Sequence, residues 1–160
     1  MHQEKALVYK EICCQKSQEE LNYVTDLVKG YMQLAYLIRM QKDYESAIDY
    51  YTKALLLCEK IISERETLGD RKRLRNIYKG LCISHKNNKD YVNARAYGLN
   101  WQVEAEILVG NERQKEDLSQ CGICYGQLTE ICKKLGKKDD ALQYCDKAIV
   151  VYEELVLIDE

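Results

Sequence analysis

The chain has 160 residues, with 24 Lys and Arg against 26 Asp and Glu and a formal net charge of −2. That near balance excludes a nucleic-acid polycation and an acidic tail, so any electrostatic function must be local, and the length fits one domain or one array. Proline and phenylalanine are absent while tyrosine reaches 13, so nothing interrupts long helices and an all-α fold is expected.

The first segment, about 2–15, carries Lys5-Ala6-Leu7, which matches Lys53-Ala54-Leu55 and Lys147-Ala148-Ile149 farther on. It reads as the second helix of a preceding unit, spanning 1–17. Ser17-x-x-Glu20 is a capping-box signature and predicts a new helix over 18–41, with Tyr31, Leu34, Ala35 and Ile38 on its apolar stripe. The polar tripeptide Gln41-Lys42-Asp43 follows, and Asp43 is placed to cap a helix over 44–66. Its stripe is Ala47, Tyr50, Tyr51, Ala54, Leu55 and Cys58.

A glycine-containing turn from Glu66 to Asp70, with Asp70 as N-cap, leads into a helix over 71–87. Asn88-Lys89-Asp90 introduces one over 91–109, with Asp90 as its cap. Val109 to Arg113, with Asn111 as N-cap, precedes a helix over 113–135, and Gly136-Lys137-Lys138 precedes the last, over 138–158. The expectation is about seven helices, with pairs at 18–66, 71–109 and 113–158.

These pairs repeat. Tyr31-x-x-Leu34-Ala35 recurs as Tyr78-x-x-Leu81-Cys82 and Tyr125-x-x-Leu128-Thr129, at an interval of 47 residues. The same interval relates Ala47, Ala94 and Ala141, relates Ala54, Trp101 and Ala148, and pairs Tyr44 with Tyr91. A period between about 20 and 50 residues implies stacked supersecondary units, because one helix pair cannot bury its own apolar stripe. Ala35, Cys82, Ala47, Ala94 and Ala141 are the small residues at which helices should approach closely.

The columns resemble the tetratricopeptide repeat. Tyr31, Leu34, Ala35, Tyr44, Ala47, Tyr51 and Ala54 satisfy its pattern in the first unit. The second unit keeps Tyr78, Leu81, Cys82, Tyr91 and Ala94 but has Gly98 where an aromatic is usual and Trp101 where a small residue is usual. The third keeps Tyr125, Leu128, Gly136, Ala141 and Ala148. The resemblance implies a right-handed α-solenoid of stacked antiparallel helix pairs. The period exceeds the family's 34 by roughly 13 residues, which lengthens each helix by roughly 10 Å, and the proline that often closes a repeat is missing.

Catalytic chemistry finds little support. Cys121-x-x-Cys124, with Cys132 and Cys145 near, falls within a predicted helix, whereas a zinc site draws four convergent ligands from tight loops. Buried thiols are expected there, with Cys82 and Cys132 on inward stripes and slow to react. His85 has no nucleophile partner in view, and Gly122-x-x-x-Gly126 lies within a helix, where it lets a neighbour pack closely rather than cradle phosphate. No metal, cofactor or enzyme activity is expected. Eight cysteines could make disulfides in a secreted protein, but no apolar leader follows Met1, no run reaches the roughly 18 apolar residues of a membrane span, and a helical chain of this size needs no staples. Reduced thiols in a cytoplasmic protein, with no membrane contact, are expected.

In arrays of this family the first helices of successive units line a concave groove. The resemblance therefore places Lys29, Gln33, Tyr36, Arg39 and Met40 there from the first unit. Asn76, Lys79, Gly80, Ile83, Lys86 and Asn87 follow from the second, and Ile123, Gly126, Gln127, Glu130, Lys133 and Lys134 from the third. This set is basic, with Glu130 its one acid, and Gly80 and Gly126 should leave its middle open. Arg39, Lys86 and Lys133 recur at the repeat interval and should form a basic ladder. Chaperone-binding members clamp a C-terminal carboxylate with Lys, Asn and Arg, but the matching positions here hold Met32, Tyr36, Gly80, Ile123 and Gln127, so chaperone tails are not expected as ligands.

The expected function is a protein-binding scaffold gripping an acidic or amphipathic segment. The alternatives are a nucleic-acid or phosphate-bearing ligand in the groove, or a structural role in self-association. Val150, Val151, Leu155, Val156, Leu157 and Ile158 in the last helix have no polar capping helix after them, and Met1 begins inside a unit. Both features predict a homo-oligomer or a longer array.

Overall fold

The computed structural model describes residues 2–159, and side-chain surroundings from Ser17 onward. Six helices follow one another: α1 (His2–Met40), α2 (Tyr44–Glu64), α3 (Leu68–Asn87), α4 (Tyr91–Asn111), α5 (Lys115–Lys134) and α6 (Lys138–Ile158). Pairing is strongest between α1 and α2, α3 and α4, and α5 and α6, and the pairs stack through α2 against α3 and α4 against α5. The result is an all-α, solenoid-like stack. Helices α2, α4 and α6 begin at 44, 91 and 138, and the tight turns before them place Lys42, Lys89 and Gly136 at positive φ, each 47 residues from the last.

The turn before each second helix works as the sequence predicts. Asp43 and Asp90 accept from the backbone N–H of Ser46 and Asn93, satisfying one of the donors that every helix start leaves open. Side-chain hydrogen bonds from the same Ser46 and Asn93 are the leading reason that both carboxyls titrate below their ordinary value, and the backbone bonds add to them. Lys137 holds the equivalent place before α6 and makes no side-chain cap.

Three boundaries differ from expectation. The helices predicted over 2–15 and 18–41 are one, α1, so the described residues form six helices, close to the expected seven. The Ser17 capping signature lies inside it, and no Gly or Pro stands near to break the hydrogen-bond ladder. The reading of 1–17 as a separate preceding helix fails with it, while the side chains of Lys5-Ala6-Leu7, Cys13 and Cys14 lie outside the described residues. Helix α3 starts earlier than predicted because Thr67, not Asp70, is its N-cap. Thr67 accepts from the Asp70 N–H at 3.2 Å while Asp70 accepts from the Thr67 N–H at 3.2 Å, a reciprocal box. Asn111 ends α4 instead of capping α5, which begins after Gln114 with no side-chain cap.

Two apolar clusters form the core. One joins α1, α2 and α3 through Val28, Ala35, Ala54, Cys58, Ile61, Ile77 and Leu81; the other joins α3 to α6 through Cys82, Ala94, Trp101, Cys124, Leu128 and Ile131. The small residues Ala35, Ala47, Cys82, Ala94 and Ala141 are all buried, as close helix approach requires. Each pair also packs aromatics between its helices: Tyr31 tilted against Tyr50, Tyr78 stacked on Tyr97, and Tyr125 stacked on Tyr144, at centroid separations of 6.0, 6.5 and 6.3 Å.

Candidate functional site: a diagonal groove across the first helices

Helices α1, α3 and α5 lie side by side, and a groove of about 360 Å³ crosses them. Helix α1 contributes Met32, Gln33, Tyr36 and Arg39, spaced at three- and four-residue steps so that they share one face. Helix α3 contributes Arg75, Asn76, Lys79 and Gly80; α5 contributes Glu116 and Gln120, and the Tyr51 ring closes the floor from α2. The groove runs obliquely, from the C-terminal half of α1 through the middle of α3 to the first turns of α5.

Of the sequence-predicted residues, Gln33, Tyr36, Arg39, Asn76, Lys79 and Gly80 line this groove. Lys29 stands outside it, exposed and 3.6 Å from Asp26. Met40 is exposed beyond its end, and Ile83, Lys86, Asn87, Ile123, Gly126, Gln127, Glu130, Lys133 and Lys134 lie outside its lining. Lys86 crosses from α3 to α5 to donate to Glu130 at 2.8 Å. That bond and charge, with Lys133 and Lys134 beyond them, hold the Glu130 carboxyl below its ordinary value. Arg39, Lys86 and Lys133 occupy the last turns of α1, α3 and α5, but Lys86 is neutralised within the chain.

Gly80 does not leave the groove open. A Cβ at this position would overlap the Tyr51 ring, so the missing side chain is replaced by an aromatic from the neighbouring helix. Gly126 has nothing within 4 Å. Gly122, four residues earlier, receives Tyr152, whose Cζ would stand 2.9 Å from an added Cβ.

The charges on the groove divide into spent and unspent. Arg75 is buried and donates to Asp117 at 2.7 Å, an ion pair tying α3 to α5. Lys79 donates to Gln120 at 3.1 Å, and its ammonium lies 5.8 Å from the ring centroid of the buried Trp101. Burial first, then the charges of Arg75 and Arg39, push the Lys79 pKa below its ordinary 10.5. Arg39 lies over the Tyr36 ring at 5.4 Å. Among the described residues neither Arg39 nor Lys79 has a carboxylate partner; Glu116 is the acid of the groove lining, and the predicted Glu130 lies outside it. Arg75, Glu116 and Gln120 escape column-by-column reading because an oblique groove does not follow repeat-equivalent positions.

The thiols are not part of this groove. Cys58, Cys82, Cys121, Cys124 and Cys132 are buried, and burial pushes the Cys82 thiol up to about 12 and those of Cys58 and Cys121 up to about 11. Such thiols carry little thiolate, the reactive form. His85 stacks on Tyr97 at 5.3 Å with its Nδ1 3.2 Å from Asp90, so it packs against the turn before α4. Among the described residues no group of three or more His, Cys, Asp and Glu converges as metal ligands, and no helix is long and apolar enough to cross a membrane.

No protein-family model and no curated protein matches the sequence. Among solved structures, the TPR domain of FLU from Arabidopsis is similar, with a TM-score of 0.67 at 19% sequence identity, over 82% of this chain and 98% of that chain. The chain therefore has a tetratricopeptide-repeat-like fold.

Proposed function

We propose that this protein is a non-enzymatic interaction scaffold, a long-helix variant of the tetratricopeptide repeat with a 47-residue period, which holds an acidic or amphipathic segment of a cytoplasmic partner protein in the groove across α1, α3 and α5. The observation that carries the reading is the pair of unspent cations. Among the described residues Arg39 and Lys79 face the groove with no carboxylate in ion-pair contact, while their neighbour Arg75 is already committed to Asp117. Two like charges held together raise the free energy of the empty groove, and an incoming carboxylate relieves that repulsion. Tyr36, Met32 and the Tyr51 ring supply apolar surface beside the charges, which suits a segment with an acidic and an apolar face.

A nucleic-acid ligand is disfavoured by the same inventory. Single-strand grooves combine a continuous basic track with several stacking rings; here Glu116 interrupts the track and Tyr36 is the exposed ring. Fluorescence anisotropy with labelled acidic, neutral and basic peptides of equal length, and with single-stranded RNA, separates the readings. Preference for the acidic peptide supports the proposal; equal binding of all peptides, or tighter binding of RNA, refutes it.

A further inference from the structure

The repeat interval makes equivalent positions comparable across the stack, and at the outermost helices the comparison exposes a mismatch. At the two internal junctions, α2 packs on α3 and α4 packs on α5. Within α4 the junction positions include Gly98, Ala105 and Leu108, and within α2 the equivalents Tyr51, Cys58 and Ile61; all six are buried. Their equivalents in α6 are Cys145, Tyr152 and Leu155. Cys145 and Tyr152 are exposed and Leu155 is half-buried.

The complementary stripe shows the same mismatch. Leu74 and Leu81 on α3, and Cys121, Leu128 and Ile131 on α5, are buried where these first helices meet their neighbours. The equivalents on α1 are Leu27, Leu34 and Leu37, with exposures of 46%, 40% and 59%. One half of a junction is thus displayed on α6 and the other half on α1.

We infer that these two faces bind each other between copies of the chain, the α1 face of one copy seating on the α6 face of the next. The internal junction supplies the pattern. Leu128 of α5 reaches over Gly98 of α4, its Cδ2 2.7 Å from where a Cβ would stand. The equivalents of that pair are Leu34 on α1 and the small, exposed Cys145 on α6. Beside Cys145, α6 bears an apolar groove of about 590 Å³ lined by Ile149, Tyr152, Glu153, Val156 and Leu157. A symmetric α6-to-α6 pairing is opposed by charge: Asp140 and Glu154 are paired with Arg95 and Arg113, but the exposed Asp146 and Glu153 of α6 would be brought against their own copies. Contact between two different faces leaves one of each kind free after every addition, so copies add head to tail and the solenoid continues from chain to chain.

Sedimentation velocity of the full chain over a wide concentration range tests this, with Leu34→Glu closing the α1 face and Ile149→Glu closing the α6 face. Wild type should grow past the dimer as concentration rises, and each variant alone should remain a monomer. An equimolar mixture should form a one-to-one heterodimer and stop, because each variant retains the face that the other has lost. Both positions are exposed, so the helical circular dichroism should match wild type; if either variant unfolds, Leu37→Glu with Leu157→Glu makes the same pair. Wild type that stays monomeric at every concentration would overturn the inference. So would a Leu34→Glu chain that dimerises with itself, since that result assigns α6 to a symmetric contact.

Discussion

Gly98 and Trp101 show how single residues keep the stack dense when the repeat pattern is broken. Their equivalents in α2 are Tyr51 and Ala54, so the large and small positions have exchanged places. Trp101 is fully buried between α3, α4 and α5, and Gly98 leaves the space that Leu128 fills. The exchange conserves volume, which is what a close-packed interior demands. Trp101→Ala should therefore cost about 3–5 kcal/mol, the range for emptying a large core aromatic, as read by urea denaturation.

Asp70 makes a different prediction at the same scale. It is fully buried; burial pushes its carboxyl up, and hydrogen bonds from Thr67, Arg73 and Arg65 together outweigh that effect and hold it at about 2 against an ordinary 3.8. A pKa lowered by folding means the ionised form is stabilised in the native state. The contribution is complete above about pH 4, where the unfolded carboxylate is also ionised, and is lost as pH falls toward 2. Stability measured down to about pH 2 should decline through that window in the wild type. Asp70→Asn should be less stable near neutrality and show a shallower decline.

At the scale of elements, much of the layout was legible because helix starts and stops are local chemistry. Asp43 and Asp90 read correctly as caps, since an Asp before an amphipathic run has one obvious role. The start of α3 was misplaced because the Thr67 box uses Asp70 rather than Glu or Gln at its third position, so the acid looked like the cap itself. Ser17 misled for the opposite reason: a capping signature stabilises a helix start only where the ladder is already broken, and nothing breaks α1 there. The Arg75–Asp117 pair had no local signal at all, because its partners stand 42 residues apart and meet only when α3 and α5 stack. Arg75→Met alone should cost about 3–5 kcal/mol by stranding Asp117 as a buried charge, whereas Arg75→Met with Asp117→Leu should recover most of that loss. A thermal-denaturation double-mutant cycle reads the difference.

For the molecule as a whole, periodicity revealed the stack and resemblance placed the groove on the first helices, but neither gave its slant. One of the three ladder cations is therefore spent elsewhere: Lys86 binds Glu130, while Lys79, which belongs to a different repeat column, stands with Arg39 in the groove. This cation pair is the proposed grip on an acidic partner. The most direct measurement is the salt dependence of affinity for an acidic peptide, compared between the wild type and Arg39→Gln with Lys79→Gln. The wild type should lose affinity steadily as salt rises, while the double variant, with unchanged helicity, should bind at least about tenfold more weakly, a loss of about 1.4 kcal/mol, with a flatter slope. Equal affinity and equal slope in the two proteins would contradict the account.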